Sequence, residues 1–253
     1  MAGADLAVRT DGGAPAVRPG SGAMFDRIAR RYDLLNRVLS LGLDQRWRRS
    51  TVAALRLEPG HRALDLATGT GDLALAMLRR CPEATVVGLD PSAEMLARAR
   101  EKLGGERGRR LGVGVAEALP FADGSFDALA IAFGLRNVPD RERALREMAR
   151  VTRPGGVVAI LELGEPRGRV LGRLAWFHVH VVVPRVGALL SGAREYRYLE
   201  KSIAAFPPPD DVLAMMRRSG LEDVEARPLS FGVCHLFLGR STGAANRPAE
   251  GSP

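Results

Sequence analysis

The stretch Ala63-Leu-Asp-Leu-Ala-Thr-Gly-Thr-Gly-Asp72 decides how this chain folds. A short apolar run gives way to small residues and then to DLALAMLRR, whose apolar residues recur at helical spacing, so the segment spells strand, tight turn, helix. Gly69 and Gly71 allow the main chain to approach a ligand with no Cβ in the way. Backbone N–H groups at the start of the helix face the same place. Gly69, Gly71 and Ala74 also satisfy the dinucleotide pattern GxGxxG/A. Asp65 argues against that reading, because a carboxylate beside the turn repels a diphosphate and favours a ligand carrying a sulfonium and an ammonium. Asp90 ends the next strand, where an acidic side chain can accept both hydroxyls of a ribose. That placement supports a nucleoside without choosing between the two ligand classes, and an N-cap for the following helix competes with it.

Outward from this turn, strand candidates fall at residues 63–66, 85–89, 112–115, 128–132 and 157–161. Helix candidates fall at 72–80, 92–103 and 141–151, with Ser92 as N-cap of the second and Pro154-Gly155-Gly156 as the turn after the third. This alternation predicts an α/β fold, a doubly wound Rossmann-like sheet. After residue 163 the rhythm changes. Helical stretches around 171–183, 194–205 and 210–219 precede two strand candidates at 224–229 and 233–238, which would add an antiparallel C-terminal edge to a mostly parallel sheet. N-terminal and late helices would form a lid. One domain, 24–240, is expected between disordered tails at 1–23 and 241–253.

The net charge of +8 comes almost wholly from arginine, since Lys102 and Lys201 are the sole lysines. Such a surface is usually just solvated, although it would also attract RNA or an anionic membrane. Cys81 and Cys234 stand apart with no metal-ligand spacing, which predicts no metal site and a reducing, cytoplasmic setting. The apolar run 170–190 is interrupted by Arg173, His178, His180, Pro184 and Arg185. It reads as a covering helix able to touch a bilayer surface rather than a span.

The series LDLATGTGD, VVGLDPSAEMLARAR, AEALPFADGSFDAL and VTRPGG resembles the class I S-adenosylmethionine-dependent methyltransferases. The resemblance implies S-adenosylmethionine as cofactor, held by Asp65, Gly69, Thr70, Gly71 and Asp90, with adenine against Val115 and Ala116. Many relatives carry Asp or Asn where this chain has Val115, so adenine recognition would rest on packing and backbone groups. YDLLNRVLSLGLDQRW, AFGLRNV and YRYLEKSI resemble the quinone-biosynthesis C-methyltransferase family, over residues 25–238. Departures are Leu35 for a usual Met, Asp44 for a frequent His, Ala132 for a common Ser, and the ending VCHLFL. The family implies C-methylation of a prenylated quinol, either demethylmenaquinol or a ubiquinol precursor. It implies no nucleic-acid partner, and is compatible with a homodimer and with peripheral contact at the inner face of a membrane.

Methyl transfer from a sulfonium is an in-line displacement whose nucleophile belongs to the acceptor, so the protein has to supply alignment, desolvation and electrostatic help. On this resemblance, Arg136 would set a fixed positive charge against the acceptor's phenolate, Asn137 would orient the ring oxygen, and Tyr32 would close the lid and share a proton. Structural roles compete. Arg136 could pair with Asp140 or Glu142, and Tyr32 could be core packing. Trp176, Phe177 and residues 179–183 suit either a groove for the prenyl tail or ordinary lid packing. His235 reads as a satisfied strand residue. Rival functions are methylation of another lipid or small molecule, such as a phospholipid amine, and non-catalytic RNA binding on the same fold.

Overall fold

A computed structural model describes residues 33, 37, 40–164 and 201–243. Within them seven strands form one sheet: β1 (Arg62–Leu66), β2 (Thr85–Asp90), β3 (Leu111–Val113), β4 (Phe126–Ala132), β5 (Thr152–Leu163), β6 (Leu221–Leu229) and β7 (Cys234–Ser241). Their order is β3-β2-β1-β4-β5-β7-β6. Pairing is parallel from β3 to β5, while β7 runs antiparallel to both β5 and β6. The expected mostly parallel sheet with an antiparallel edge is what forms. The helices are α1 (Leu43–Ala54), α2 (Asp72–Arg80), α3 (Ala93–Leu103), the short α4 (Gly105–Arg109), α5 (Arg141–Val151) and α6 (Pro209–Arg218).

The central strands are buried on both faces, which is why they read as near-continuous apolar runs. One face packs Leu64, Leu129 and Ile160 against Leu145 and Met148 of α5 and Val212 and Met216 of α6. The other packs Ala63, Ala130 and Leu161 against Trp47 of α1 and Leu73 and Met77 of α2. By contrast β6 alternates charged and apolar residues, is largely exposed and carries Pro228, as suits an edge strand.

Local signals set the helix ends. Ser92 Oγ accepts from Met95 N at 3.1 Å, and Asp140 Oδ1 accepts from Arg143 N at 2.9 Å, so both act as N-caps. The turn expected at Pro154-Gly155-Gly156 does not end an element. It is absorbed as an irregularity within β5, whose pairing with β4 jumps from Thr152 to Val157. β7 continues through Ser241, whose buried hydroxyl donates to Ala149 O at 2.7 Å. Tyr32, the helical run around 171–183, Trp176, Phe177, Tyr196 and Tyr198 lie outside the described residues.

Candidate functional site

β1 and β4 are adjacent, yet the chain leaves them toward opposite edges of the sheet. Their C-terminal ends therefore bound a crevice at the point where the winding reverses, the place where such sheets bind ligands. Backbone strain collects there. Ala67, just past β1, has φ of 52°, and Phe133, just past β4, has φ of 58°. Non-glycine residues rarely adopt this left-handed conformation, and it is held mostly where function requires it. The two turns also touch. A Cβ on Gly134 would sit 2.6 Å from Ala67 Cβ, so the loop after β4 packs on the loop after β1 because Gly134 has none.

The loop after β1 is fastened from inside. Asp65, 1% exposed, accepts from Thr68 Oγ1 at 2.5 Å and from Ala74 N at 2.9 Å through Oδ2, closing the turn onto α2. Burial pushes its carboxyl up to about 7, against the opposing pull of the Thr68 hydrogen bond. Asp90 Oδ2 accepts from Gly69 N and Oδ1 from Ser92 N, each at 2.8 Å, so Asp90 bridges the loop to the start of α3 and Ser92 takes the capping role. Gly71 N donates to Thr68 O at 2.9 Å. The N–H groups of Gly69 and Gly71 are thus spent within the protein. The two glycines also differ in use: a Cβ on Gly71 would meet Ala99 Cβ of α3 at 3.1 Å, whereas one on Gly69 would find, among the described residues, nothing nearer than Ala67 O at 4.0 Å.

This chemistry discriminates between ligands. A dinucleotide loop offers free N–H groups to a diphosphate, while here both are bonded internally and the surroundings carry the carboxylates of Asp33, Asp65, Asp72 and Asp90. Thr70 Oγ1 donates to Asp33 Oδ1 at 2.5 Å, and Lys102 Nζ pairs with Asp33 at 2.6 Å and Asp72 at 2.7 Å. Lys102, with Arg48 and Arg37, whose charges also act on Asp72, offsets part of that acidity. Room over Gly69 among the described residues, in an acidic setting, fits a cationic nucleoside such as S-adenosylmethionine and disfavours a diphosphate. Val115, half-buried, and Ala116, 7% exposed, follow β3 at the next edge of the same rim.

On the other side of the crevice a short 3₁₀ turn, Leu135–Asn137, follows Phe133. Arg136 is buried there. Its Nη1 donates to Glu162 Oε1 at 2.5 Å and to Phe133 O at 2.8 Å, and its backbone N donates to Glu162 Oε2 at 3.1 Å. The structural partner of Arg136 is therefore Glu162, near the end of β5, rather than Asp140 or Glu142. Asn137 Nδ2 lies 3.5 Å from Phe133 O. A second buried arginine stands close by: Arg48 Nη1 pairs with Asp44 Oδ2 at 2.6 Å, and its guanidinium lies 5.1 Å from the Phe133 ring centroid. That pair gives Asp44 a role. Trp47 on the same helix meets Phe133 edge-on at 6.2 Å.

Sequence reasoning missed Glu162, Arg48, Asp33 and Lys102. Glu162 did leave a signal, as a lone carboxylate inside the apolar run ILEL, and Asp44 and Arg48 are spaced one helical turn apart. Nothing in the sequence joins Asp33 to Lys102. Among the described residues no cluster of His, Cys, Asp and Glu could hold a metal, and no helix is long and apolar enough to cross a membrane.

Strand order, crevice and acidic nucleoside loop together define a class I S-adenosylmethionine-dependent methyltransferase. Solved structures share the fold. A methyltransferase from Thermotoga maritima superposes with a TM-score of 0.59 at 22% identity, covering 87% of this chain and 99% of that one. Phosphoethanolamine N-methyltransferase 2 of Haemonchus contortus, in complex with S-adenosylmethionine, gives 0.62 at 15%, covering 85% and 57%. More specifically, the chain belongs to the ubiE/COQ5 methyltransferase family, whose model matches residues 18–241. It is 44% identical over 220 residues to the ubiquinone/menaquinone biosynthesis C-methyltransferase UbiE of Geobacter sulfurreducens, covering 85% of this chain and 86% of that one. It is 47% identical over 221 residues to the demethylmenaquinone methyltransferase of Thermus thermophilus, covering 85% and 99%.

Proposed function

We propose that this enzyme transfers a methyl group from S-adenosylmethionine to a ring carbon of a prenylated quinol, with demethylmenaquinol as acceptor. The observation that carries the reading is the buried Arg136–Glu162 pair beside the crevice, in a chain of this family. When bound, the cofactor supplies an electrophilic methyl on a sulfonium. The chain's residues do the rest. Asp65, Gly69, Thr70, Gly71 and Asp90 hold the donor, with Val115 and Ala116 against its base. Arg136, fixed by Glu162 and by Phe133 O, keeps a guanidinium beside the crevice past the C-terminal end of β4, where it favours loss of the proton from the acceptor's hydroxyl. Asn137 orients that oxygen, and Tyr32 covers the ring. The bound donor would supply its methyl to the ring carbon, its sulfur keeping the electron pair of the carbon–sulfur bond, while the ring proton would leave to water and the ring oxygen would take a proton back. The family relatives favour this reading over a phospholipid amine acceptor or non-catalytic RNA binding.

Arg136 also neutralises Glu162, so a single replacement confounds charge with fold. Arg136→Gln together with Glu162→Gln removes both charges while keeping hydrogen-bonding side chains at both positions. In that variant donor affinity should hold and turnover should fall about a hundredfold or more, the scale of losing one electrostatic stabiliser. Unchanged turnover would remove Arg136 from the chemistry. A homodimer and peripheral contact with a membrane are further parts of this proposal, tested by sedimentation and by vesicle co-flotation.

A further inference from the structure

Beyond the crevice, a cavity of about 430 Å³ opens between residues 203–209 and the start of β7. Its volume is ordinary for a small-molecule site. Phe206, Phe231, Phe237 and three consecutive prolines, Pro207, Pro208 and Pro209, form much of its wall. Prolines offer no backbone N–H, so that wall cannot donate to a polar ligand. Among the described lining residues there is no Asp, Glu, Lys or Arg.

The cavity borders the strand residues that hold Arg136. Leu163 and Gly164 on its wall directly follow Glu162, the carboxylate that grips Arg136. His235, also on the wall, pairs directly across from Glu162 in the β5–β7 ladder. Its imidazole fits because Gly164 lacks a Cβ, which would lie 2.7 Å from His235 Nδ1. The rim is held in strain. Ser230 and Phe231, in the turn between β6 and β7, have φ of 47° and 61°, and Phe231 remains 58% exposed. Two successive left-handed non-glycine residues are costly to hold. Trp47 Nε1 holds the turn by donating to Ser230 Oγ at 2.9 Å, from the helix whose Arg48 lies over Phe133. An aromatic kept in the open at such a cost, over a cavity whose described lining holds no Asp, Glu, Lys or Arg, is placed to cover an apolar ligand.

We propose that this cavity receives the first isoprene units of the acceptor's prenyl tail, with the ring left at the crevice beside Arg136. The assignment rests on the reading of the enzyme as a quinol methyltransferase. It gives the tail a site on described residues, apart from the run 170–190.

The test compares two acceptors under reducing conditions: a demethylated naphthoquinol with a short prenyl tail, and the same ring with hydrogen in its place. Two variants are used. Ala204→Trp fills the cavity from an exposed position on its wall, and Phe231→Asn removes the rim aromatic while placing a residue that tolerates a positive φ. The wild type should have the lower KM for the tailed ring. Both variants should raise that KM about tenfold, as expected for lost apolar burial, with kcat and KM for the tail-less ring unchanged. If the wild type treats both rings alike, or the variants leave the tailed KM unmoved, the cavity is not the tail site while the methyltransferase reading stands. If neither ring is methylated by wild-type protein that binds the donor, the acceptor reading falls and the cavity assignment falls with it.

Discussion

Arg136 and Glu162 join the ends of two neighbouring strands by a buried ion pair 2.5 Å long, on the side of the sheet switch point opposite the donor loop. Taking both charges out of water is costly, and what the pair secures is the placement of one guanidinium. Removing only one partner strands the other charge. Glu162→Ala should therefore destabilise the fold by about 3–5 kcal/mol in denaturant unfolding. The double replacement with Gln should lose clearly less than the sum of the two single replacements. Additive losses would mean that the two side chains do not depend on one another.

Asp65 predicts a pH dependence of definite sign. Its carboxyl is raised by burial to about 7, so the folded chain holds this proton more tightly than the unfolded chain does. Stability from this group is therefore greatest below about pH 4, declines as pH rises to about 7, and is flat above that, over a span on the order of 4 kcal/mol. Asp65→Asn should abolish the decline and make the variant the more stable protein at pH 8. Parallel stability curves for the two proteins would contradict this. A cation bound beside Asp65 would also ionise it, so calorimetry near pH 7 should show up to about half a proton released per donor bound, with heats that change with the buffer.

Gly134 sets the distance between the two loops of the crevice. Gly134→Ala would press a methyl onto Ala67, which is already strained, and onto Ile131 at 3.0 Å. We expect a loss of about 1–3 kcal/mol in stability, the usual cost of overpacking, and weaker donor binding by titration. Normal donor affinity in a destabilised variant would separate the loop contact from the donor site.

Lys102 links residue 33 to the donor loop through Asp33 and Asp72. All three side chains keep some exposure, so the pairs are worth no more than about 1 kcal/mol and should weaken with salt. A double-mutant cycle of Lys102→Met with Asp33→Asn should show coupling of about 0.5 kcal/mol at low salt that fades at high salt. Zero coupling at low salt would contradict the contact.

The fold was largely legible because each β–α unit is read locally. α2 and α5 fall on the residues their periodicity picks out, and Ser92 caps α3 through its own side chain. The strands were placed, and most were drawn short, while the third was set one residue late and too long. β5 runs to Leu163 because its partners on both sides, not its own residues, keep it extended past the Pro-Gly-Gly segment. The turn after β1 was legible for a similar reason, since Asp65 and Asp90 bond to residues within a strand or two of where they lie. Arg136 was singled out in the sequence, whereas the partner that buries with it was not. Glu162 reaches it only because β4 and β5 pair side by side, a long-range fact carried by no local pattern. The same holds for Lys102 with Asp33 and for Trp47 with Ser230.

The most direct measurement is of the product. Purified enzyme is incubated with methyl-labelled S-adenosylmethionine and reduced demethylmenaquinone, and the lipid is analysed by mass spectrometry with fragmentation. The account predicts one labelled methyl on the quinol ring carbon, formed by the wild type and nearly absent when Arg136 and Glu162 are both replaced by Gln. Label on an oxygen, on a different acceptor, or on nothing at all while the donor binds tightly would contradict it.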